Sequence, residues 1–333
     1  MNTIAITHTL GIDVSKRTLD FCLLDNDSGS ILWEGRLPND PAAMQPLIAA
    51  LQRVGTTPET ALCVMEATGR HSERAAAALR DCGFRVAIVN PAQIKHFGRS
   101  LNVRTKTDKA DARVIARYGR ERLPVPTRPL TALEKELREL MRELSAQVED
   151  RRRLTLRRSE AQSPWLDGQL AKQIHEVDHR IAAIEARAQA LCNAEAAMSK
   201  NLALLCTIPG IHTRTALRLL SEIAGKDFQS ARQMAAYAGV TPSDHLSGSS
   251  VRGRTRISKI GNARLRKALY MPAHVARRYC QPIRQWADDL LERGKAKKAV
   301  VVAVMRRLLQ IAFGVLKHQT PFDPNKAAIR YTP

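Results

Sequence analysis

"TLGIDVSKRTLDFCLLD", residues 9–25, decides the fold class. Two runs rich in apolar residues flank the polar Ser15–Arg17, so the stretch reads as two strands joined by a turn. "ILWEGRL" (31–37), "ALCVME" (61–66) and "RVAIV" (85–89) read as further strands. "PAAMQPLIAALQRV" and "SERAAAALRDCG" carry apolar residues at helical spacing. Gly83 closes the second, because a residue without Cβ suits the left-handed turn after a helix. Strands that begin as a meander and then alternate with helices predict an α/β sheet covered by helices over residues 1–123.

Beyond this region "LPVPTRP" (123–129) reads as a proline-punctuated linker. The charged helix that follows places Leu133, Leu137, Leu140 and Leu144 at alternating four- and three-residue steps, and Ser163–Pro164 interrupts it. A second helix continues the seam through Leu170, Ile174, Val177, Ile181, Ile184, Ala188 and Leu191. A narrow apolar seam with charged flanks predicts coiled-coil helices over 124–199, paired either within the chain or between chains. Residues 200–333 form a third region, helical and basic. It opens with "LLCTIPGIHTRTALRLLSEI", which has the form of a helix-hairpin-helix whose turn amides could meet DNA phosphates; an ordinary helical turn is the alternative.

Over 333 residues there are 53 Lys and Arg against 32 Asp and Glu, a net charge of +21. That excess calls for a polyanionic partner, nucleic acid being the commonest and an anionic membrane surface the competitor. No apolar stretch of spanning length runs uninterrupted; "AVVVAVMRRLLQIAFGVL" (299–316) is broken by Arg306 and Arg307, so no spanning helix is expected. The N-terminus lacks the basic and apolar regions of a signal peptide. Six scattered cysteines show no CxxC or Cys/His metal spacing, which argues against structural zinc and for a reducing cytosol.

With carboxylates scarce, their positions carry information. Asp13 ends the first apolar strand, Glu66 ends "ALCVME", and Asp108 and Asp111 lie three apart in "TKTDKADARVIARY", on one face of a helix. Taken singly, each has an ordinary reading: Asp13 a turn residue, Glu66 an exposed edge residue, Asp108 a helix N-cap and Asp111 a first-turn acid. Together they could hold a pair of Mg²⁺ ions, which take hard oxygen ligands and serve in-line phosphoryl transfer. Mn²⁺ would substitute.

"GIDVSK", "MEATGRH" and "VNPAQIKHFGRS…RTKTDKADARVIA" resemble the N-terminal DEDD domain of insertion-sequence transposases related to the Piv invertase, a domain similar to the resolvase RuvC and of RNase H-like fold. "IPGI" and "AAYAGVTPSDHLSGSSVRGRTRISKIGNARLRKALYMPA" resemble the C-terminal transposase domain of the same family. The resemblance covers nearly the whole chain in order and puts the DEDD tetrad on Asp13, Glu66, Asp108 and Asp111.

From His245 to Cys280 there is no carboxylate, while Arg252, Arg254, Arg256, Lys259, Arg264, Arg266 and Lys267 follow a cluster of three serines. The basic residues could position a phosphate beside a serine nucleophile. An ordinary Ser/Gly loop beside a nucleic-acid-binding surface is the alternative, and residue chemistry does not separate Ser247 from Ser249 or Ser250. The resemblance selects Ser247, as the nucleophile that forms a phosphoserine link to DNA. It also implies donor and target DNA as substrates, a structured guide RNA from the same element, and a dimer or tetramer whose protomers share the site. The low aromatic content, 4%, fits a protein that delegates sequence choice to base pairing. The activity implied is Mg²⁺-dependent strand exchange by a site-specific recombinase. A RuvC-like metal-dependent nuclease, in which Ser247 is only structural, is the rival; a nucleic-acid-binding protein without activity is a second.

Overall fold

The computed structural model describes residues 5–102, 107–243, 246–247, 251–252 and 256–327, and it divides into two compact units, Met1–Pro129 and Leu130–Pro333. In the first, strands β1 (His8–Val14), β2 (Thr18–Asp25), β3 (Ile31–Pro38), β4 (Ala61–Glu66) and β5 (Arg85–Val89) form one sheet in the order β3-β2-β1-β4-β5. The first three are antiparallel, and β4 and β5 run parallel to β1. Helices α1 (Met44–Arg53), α2 (Arg70–Asp81), α3 (Pro91–Ser100) and α4 (Asp108–Arg122) cover it.

The period-2 alternation of a strand sorts each residue to a face. Leu10, Ile12, Phe21, Leu23, Cys63 and Met65 pack with Met44, Leu47 and Leu51 of α1 and with Ala75, Ala76 and Leu79 of α2. On the opposite face Leu62, Val64, Ala87 and Val89 meet Ile94 and Phe97 of α3 and Val114, Ile115 and Tyr118 of α4. Cys22 and Leu24 meet Ala112 and Ala116 there. The sheet is thus the middle of three layers. Helix α4 approaches it through small residues: a Cβ on Gly11 would lie 2.2 Å from the Ala116 backbone nitrogen, and one on Gly119 would lie 2.6 Å from Thr9 Cγ2. The linker is fastened to this unit, since Thr127 donates to the Val86 carbonyl through N (2.8 Å) and Oγ1 (3.1 Å).

In the second unit α5 (Ala132–Ser159) and α6 (Pro164–Asn193) pair within the chain as an antiparallel hairpin. A reciprocal capping box between Thr131 and Glu134 starts α5. Leu137, Met141 and Leu144 share a core with Val177, Ile181 and Ala188, while Arg151–Asp178, Arg158–Asp167 and Arg187–Glu136 pairs flank it. That core continues without a break into α7 (Ala196–Cys206), α8 (Thr213–Ile223), α9 (Ala231–Tyr237), α10 (Ala263–Ala268), α11 (Tyr270–Tyr279), α12 (Gln281–Glu292) and α13 (Lys297–His318). The apolar seam therefore serves a globular helical core at its base and a two-helix arm beyond it.

Helix α13 corrects one reading of the sequence. With a mean hydropathy of 1.9 it is long and apolar enough, by length and composition, to cross a membrane despite Arg306 and Arg307. The reason is that two cations leave most of the window apolar. In the structure Val300, Val304, Met305, Leu308, Leu309 and Ala312 are buried in the helical core, which is where its apolar face is used.

Adding a methyl group at Gly11 forces α4 off the sheet, so Gly11→Ala should destabilise the protein by about 3 kcal/mol or more. Gly168, inside α6, has no heavy atom within 4 Å of a built Cβ, so Gly168→Ala should stabilise by about 0.5–1 kcal/mol. Denaturant unfolding followed by circular dichroism measures both, and a neutral Gly11→Ala would contradict the close approach.

Candidate active site

The face of the sheet that meets α4 is also the face on which the acids stand. Along β1, Thr9, Gly11 and Asp13 share one side, and along β4 Leu62, Val64 and Glu66 do. The parallel register sets Ile12 beside Met65, which, carried one residue further, brings Asp13 beside Glu66 at the ends of adjacent strands. Asp13 lies within β1 and not in the turn. Thr107 is the N-cap of α4, its Oγ1 accepting from Ala110 N at 3.2 Å, so Asp108 is released from capping and occupies the first helical position. Asp108, Ala112 and Ala116 are spaced by four, and the contact of the two alanines with the sheet carries Asp108 to the same side.

Electrostatics report the convergence. The Asp13 carboxyl is pushed up to about 6, first by burial and then by the charges of Asp111, Asp108 and Asp20. Asp20 is the cross-strand partner of Asp13 and is 6% exposed. Arg36, opposite Asp20 on β3, donates from Nε to both Asp20 oxygens (2.9 and 3.1 Å) and from Nη2 to Asp108 Oδ2 (2.9 Å). Nearby, Glu34 takes Lys109 Nζ at 3.0 Å and Arg113 Nη2 at 2.8 Å, and its carboxyl is held down at about 2, chiefly by the Arg113 hydrogen bond. Asp20 and Arg36 were passed over in the sequence. Their signal was the hairpin register, because a turn at 15–17 pairs residue 13 with residue 20.

Carboxylate oxygens crowded around one buried acid are donors of the kind a hard divalent ion takes. In chemical type, oxygen donors alone, the set suits Mg²⁺. Among the described residues no three His, Cys, Asp or Glu side chains yet converge closely enough to enclose an ion. The Arg36 guanidinium supplies positive charge at Asp108 in this arrangement.

In the second unit Ser247 belongs to the two-residue strand β7 (Leu246–Ser247), paired with β8 (Val251–Arg252), so that Ser247 faces Val251 and Leu246 faces Arg252. Outside this ladder β6 (Pro242–Ser243) pairs with β9 (Arg256–Ile257). The side chains of Ser247, Arg252 and Arg256, and Ser249, Ser250 and Arg254 entirely, lie outside the described residues. Lys259, Arg264 and Lys267 are exposed, whereas Arg266 donates to the Ala238 carbonyl at 2.8 Å. The basic segment is locked to the core by a buried polar contact: Asn262 Nδ2 donates to Glu222 Oε2 at 2.6 Å, and its Oδ1 caps α10 at Leu265 N, 3.0 Å away. Upstream, α7 and α8 lie on either side of "IPGI", the two helices expected of a helix-hairpin-helix or of an ordinary helical turn, and the turn between them is pressed against α11, since a Cβ on Gly210 would lie 2.4 Å from the Pro272 carbonyl oxygen.

Residues 10–161 match the model of a DEDD transposase family of the IS110 type, and residues 202–287 match the transposase IS116/IS110/IS902 family. The pilin gene-inverting proteins of Moraxella bovis and Moraxella lacunata are each 32% identical over 320 residues, which is 94% of this chain and 97% of theirs. An uncharacterized 43.6 kDa protein of insertion element IS110 from Streptomyces coelicolor is 28% identical over 48% of this chain and 38% of its own. Among solved structures, T. thermophilus RuvC in complex with a Holliday junction substrate aligns with 36% of this chain and 99% of its own at 15% identity, with a TM-score of 0.26. Both family models lie on the chain in order, one on each unit but for the start of the helical arm, and identity at this level runs almost end to end: the chain belongs to the IS110 family of DEDD transposases, enzymes of phosphoryl transfer on DNA.

Proposed function

We propose that the protein is a site-specific recombinase of an insertion sequence, exchanging DNA strands through a covalent link to Ser247. The observation that supports the acidic part of the reading is the placement of Asp13 and Glu66 at the ends of adjacent parallel strands, with Asp108 and Asp111 in the first turn of the helix laid on the same face; the raised carboxyl of Asp13 agrees with that crowding. Asp13, Glu66, Asp108 and Asp111 would hold Mg²⁺ or, in its place, Mn²⁺. A metal held there would supply neutralisation of the charge on the phosphate being transferred. Arg36, which donates to Asp108 at 2.9 Å, would have to release that carboxylate for Asp108 to serve as a ligand.

Ser247 Oγ forms a bond to phosphorus while the bond from phosphorus to the leaving sugar oxygen breaks, and the serine proton finishes on that oxygen. Attack by a second strand's hydroxyl reverses the step and restores the serine. One phosphodiester replaces another, so no outside energy source is needed. Arg252, Arg254 and Arg256, with Lys259, Arg264, Arg266 and Lys267, hold the phosphate backbone. The segments 1–123, 124–199 and 200–333 divide the work into metal chemistry, assembly and DNA handling. Sequence choice falls to a guide RNA of the element, and the protein acts in the prokaryotic cytosol. Assembly as a dimer or tetramer is supported by apolar side chains left at the tip of the α5–α6 arm, where Trp165 is 73% exposed and Leu156 51%.

Folded Asp13 keeps its proton to about pH 6, against 3.8 for an ordinary aspartate. The folded state binds more protons across that window, so this group's contribution to stability falls as pH rises through it. Asp13→Asn should therefore raise the melting temperature of metal-free protein at pH 7.5, change it little at pH 3.5, blunt stabilisation by Mg²⁺ and abolish recombination. A lower melting temperature at pH 7.5 would contradict the crowding.

Ser247→Ala should cost less than about 1 kcal/mol of stability and leave DNA affinity intact, yet reduce recombination to background. Wild-type protein quenched with denaturant during reaction on labelled DNA should carry a protein-bound strand that Ser247→Ala lacks, while Ser249→Ala and Ser250→Ala retain it. If wild type never yields the adduct, water is the nucleophile and the enzyme is a RuvC-like nuclease.

A further inference from the structure

The basic run does not end at Lys267. Between α11 and α12 lies a cavity of about 330 Å³ lined by His274, Arg277, Arg278, Arg284 and Asp288. Arg277 is balanced by Asp288, 3.1 Å away. Among the described residues neither Arg278 nor Arg284 meets a carboxylate, and Arg284 donates to the Arg278 carbonyl, which fixes it beside its neighbour. Two guanidiniums without a carboxylate partner at one open cavity supply the charge and donors that a phosphate takes.

The surroundings narrow the ligand. Aromatic residues make up only 4% of the chain, and among the described residues three of them are exposed: Trp165, Tyr270 and Tyr279. Two of the three touch residues that line this cavity. Tyr279 is 70% exposed with the Arg278 guanidinium 5.5 Å from its ring centre, and Tyr270 stacks edge-on against His274 at 4.8 Å. A large ring left in water next to two arginines offers a face to a base, and bases have free faces only where they are unpaired. An intact duplex would use the arginines and leave both rings idle.

We infer that the α11–α12 cavity is a binding site for unpaired nucleotides, its arginines on the backbone phosphate and Tyr279, with Tyr270, on the bases. The inference rests on the nucleic-acid reading of this basic unit and deepens it: the transposase holds a strand opened out of its duplex, or a single-stranded part of an RNA, here.

The test uses the full chain and fluorescence anisotropy with an oligo-dT, an oligo-U and a blunt DNA duplex of equal length. Tyr279→Ala should weaken single-strand binding roughly 10-fold or more and leave duplex binding unchanged, and Tyr279→Phe should restore it. Arg278→Gln with Arg284→Gln should lower the slope of log affinity against log salt on the single strand by about 1.4. Loss confined to oligo-dT identifies a DNA strand as occupant, and loss confined to oligo-U identifies RNA. Equal loss on the duplex, or no loss on either single strand, overturns the inference. Thermal melts of the variants should match wild type, because these side chains are exposed. Because binding involves no cleavage, a missing serine adduct would sink the recombinase reading and leave this one standing. An unaltered Tyr279→Ala binding curve would do the reverse.

Discussion

Helix α4 lies on β1 with almost nothing between them, and the geometry of the acidic face depends on that contact. Gly11 leaves the space, and Ala112 and Ala116 fill it with backbone and methyl groups. Any longer side chain at these places would lift the helix by ångströms, because packed interiors do not yield by that much without cost. The first turn of α4 carries Asp108 and Asp111, so the distance between helix and strand sets the distance between those acids and Asp13. A structural glycine thus determines an electrostatic quantity, the crowding that holds a proton on Asp13.

The same contact explains how so acidic a corner survives in a folded chain. Four carboxylates on one sheet face would repel one another, and the protein answers with cations from neighbouring elements. Arg36 spans Asp20 and Asp108, while Lys109 and Arg113 close on Glu34. These pairs are exposed on the cationic side, so each stabilises little alone. Their arrangement matters more: they clamp β3 to α4, while the side-chain charges that act on Asp13 are those of the fellow acids Asp111, Asp108 and Asp20. A metal ion would find its strongest incentive there.

Much of this could be read from the residues. Strand alternation, the turn at Ser15–Arg17, the glycine after α2 and the proline linker are local signals, and the structure places elements where they fall. The acids at Asp13, Glu66, Asp108 and Asp111 stood out because carboxylates are scarce in a chain of net charge +21. What escaped was non-local. Asp20 and Arg36 acquire meaning only from cross-strand register, and the shared core of arm and helical unit depends on contacts between Leu137 and residues far along the chain. Helix α13 escaped for a different reason: composition alone does not distinguish a core helix from a spanning one, and only its burial assigns its apolar face.

The two units also differ in how they can meet nucleic acid. The sheet unit gathers negative charge on the face where its acids stand, so a phosphate approaches that face only with a cation in attendance. The helical unit exposes Lys259, Arg264 and Lys267 from a segment anchored by the buried Glu222–Asn262 contact, and adds the arginines of α11 and α12. Counterion release from such a surface supplies affinity that is indifferent to sequence. Under the proposed function, division of this kind would separate holding from cutting: the basic unit would keep a strand bound through the exchange, while reaction at the acidic face would wait on the metal. An enzyme that breaks and rejoins DNA needs that separation, since a cut end that drifts away is a lesion.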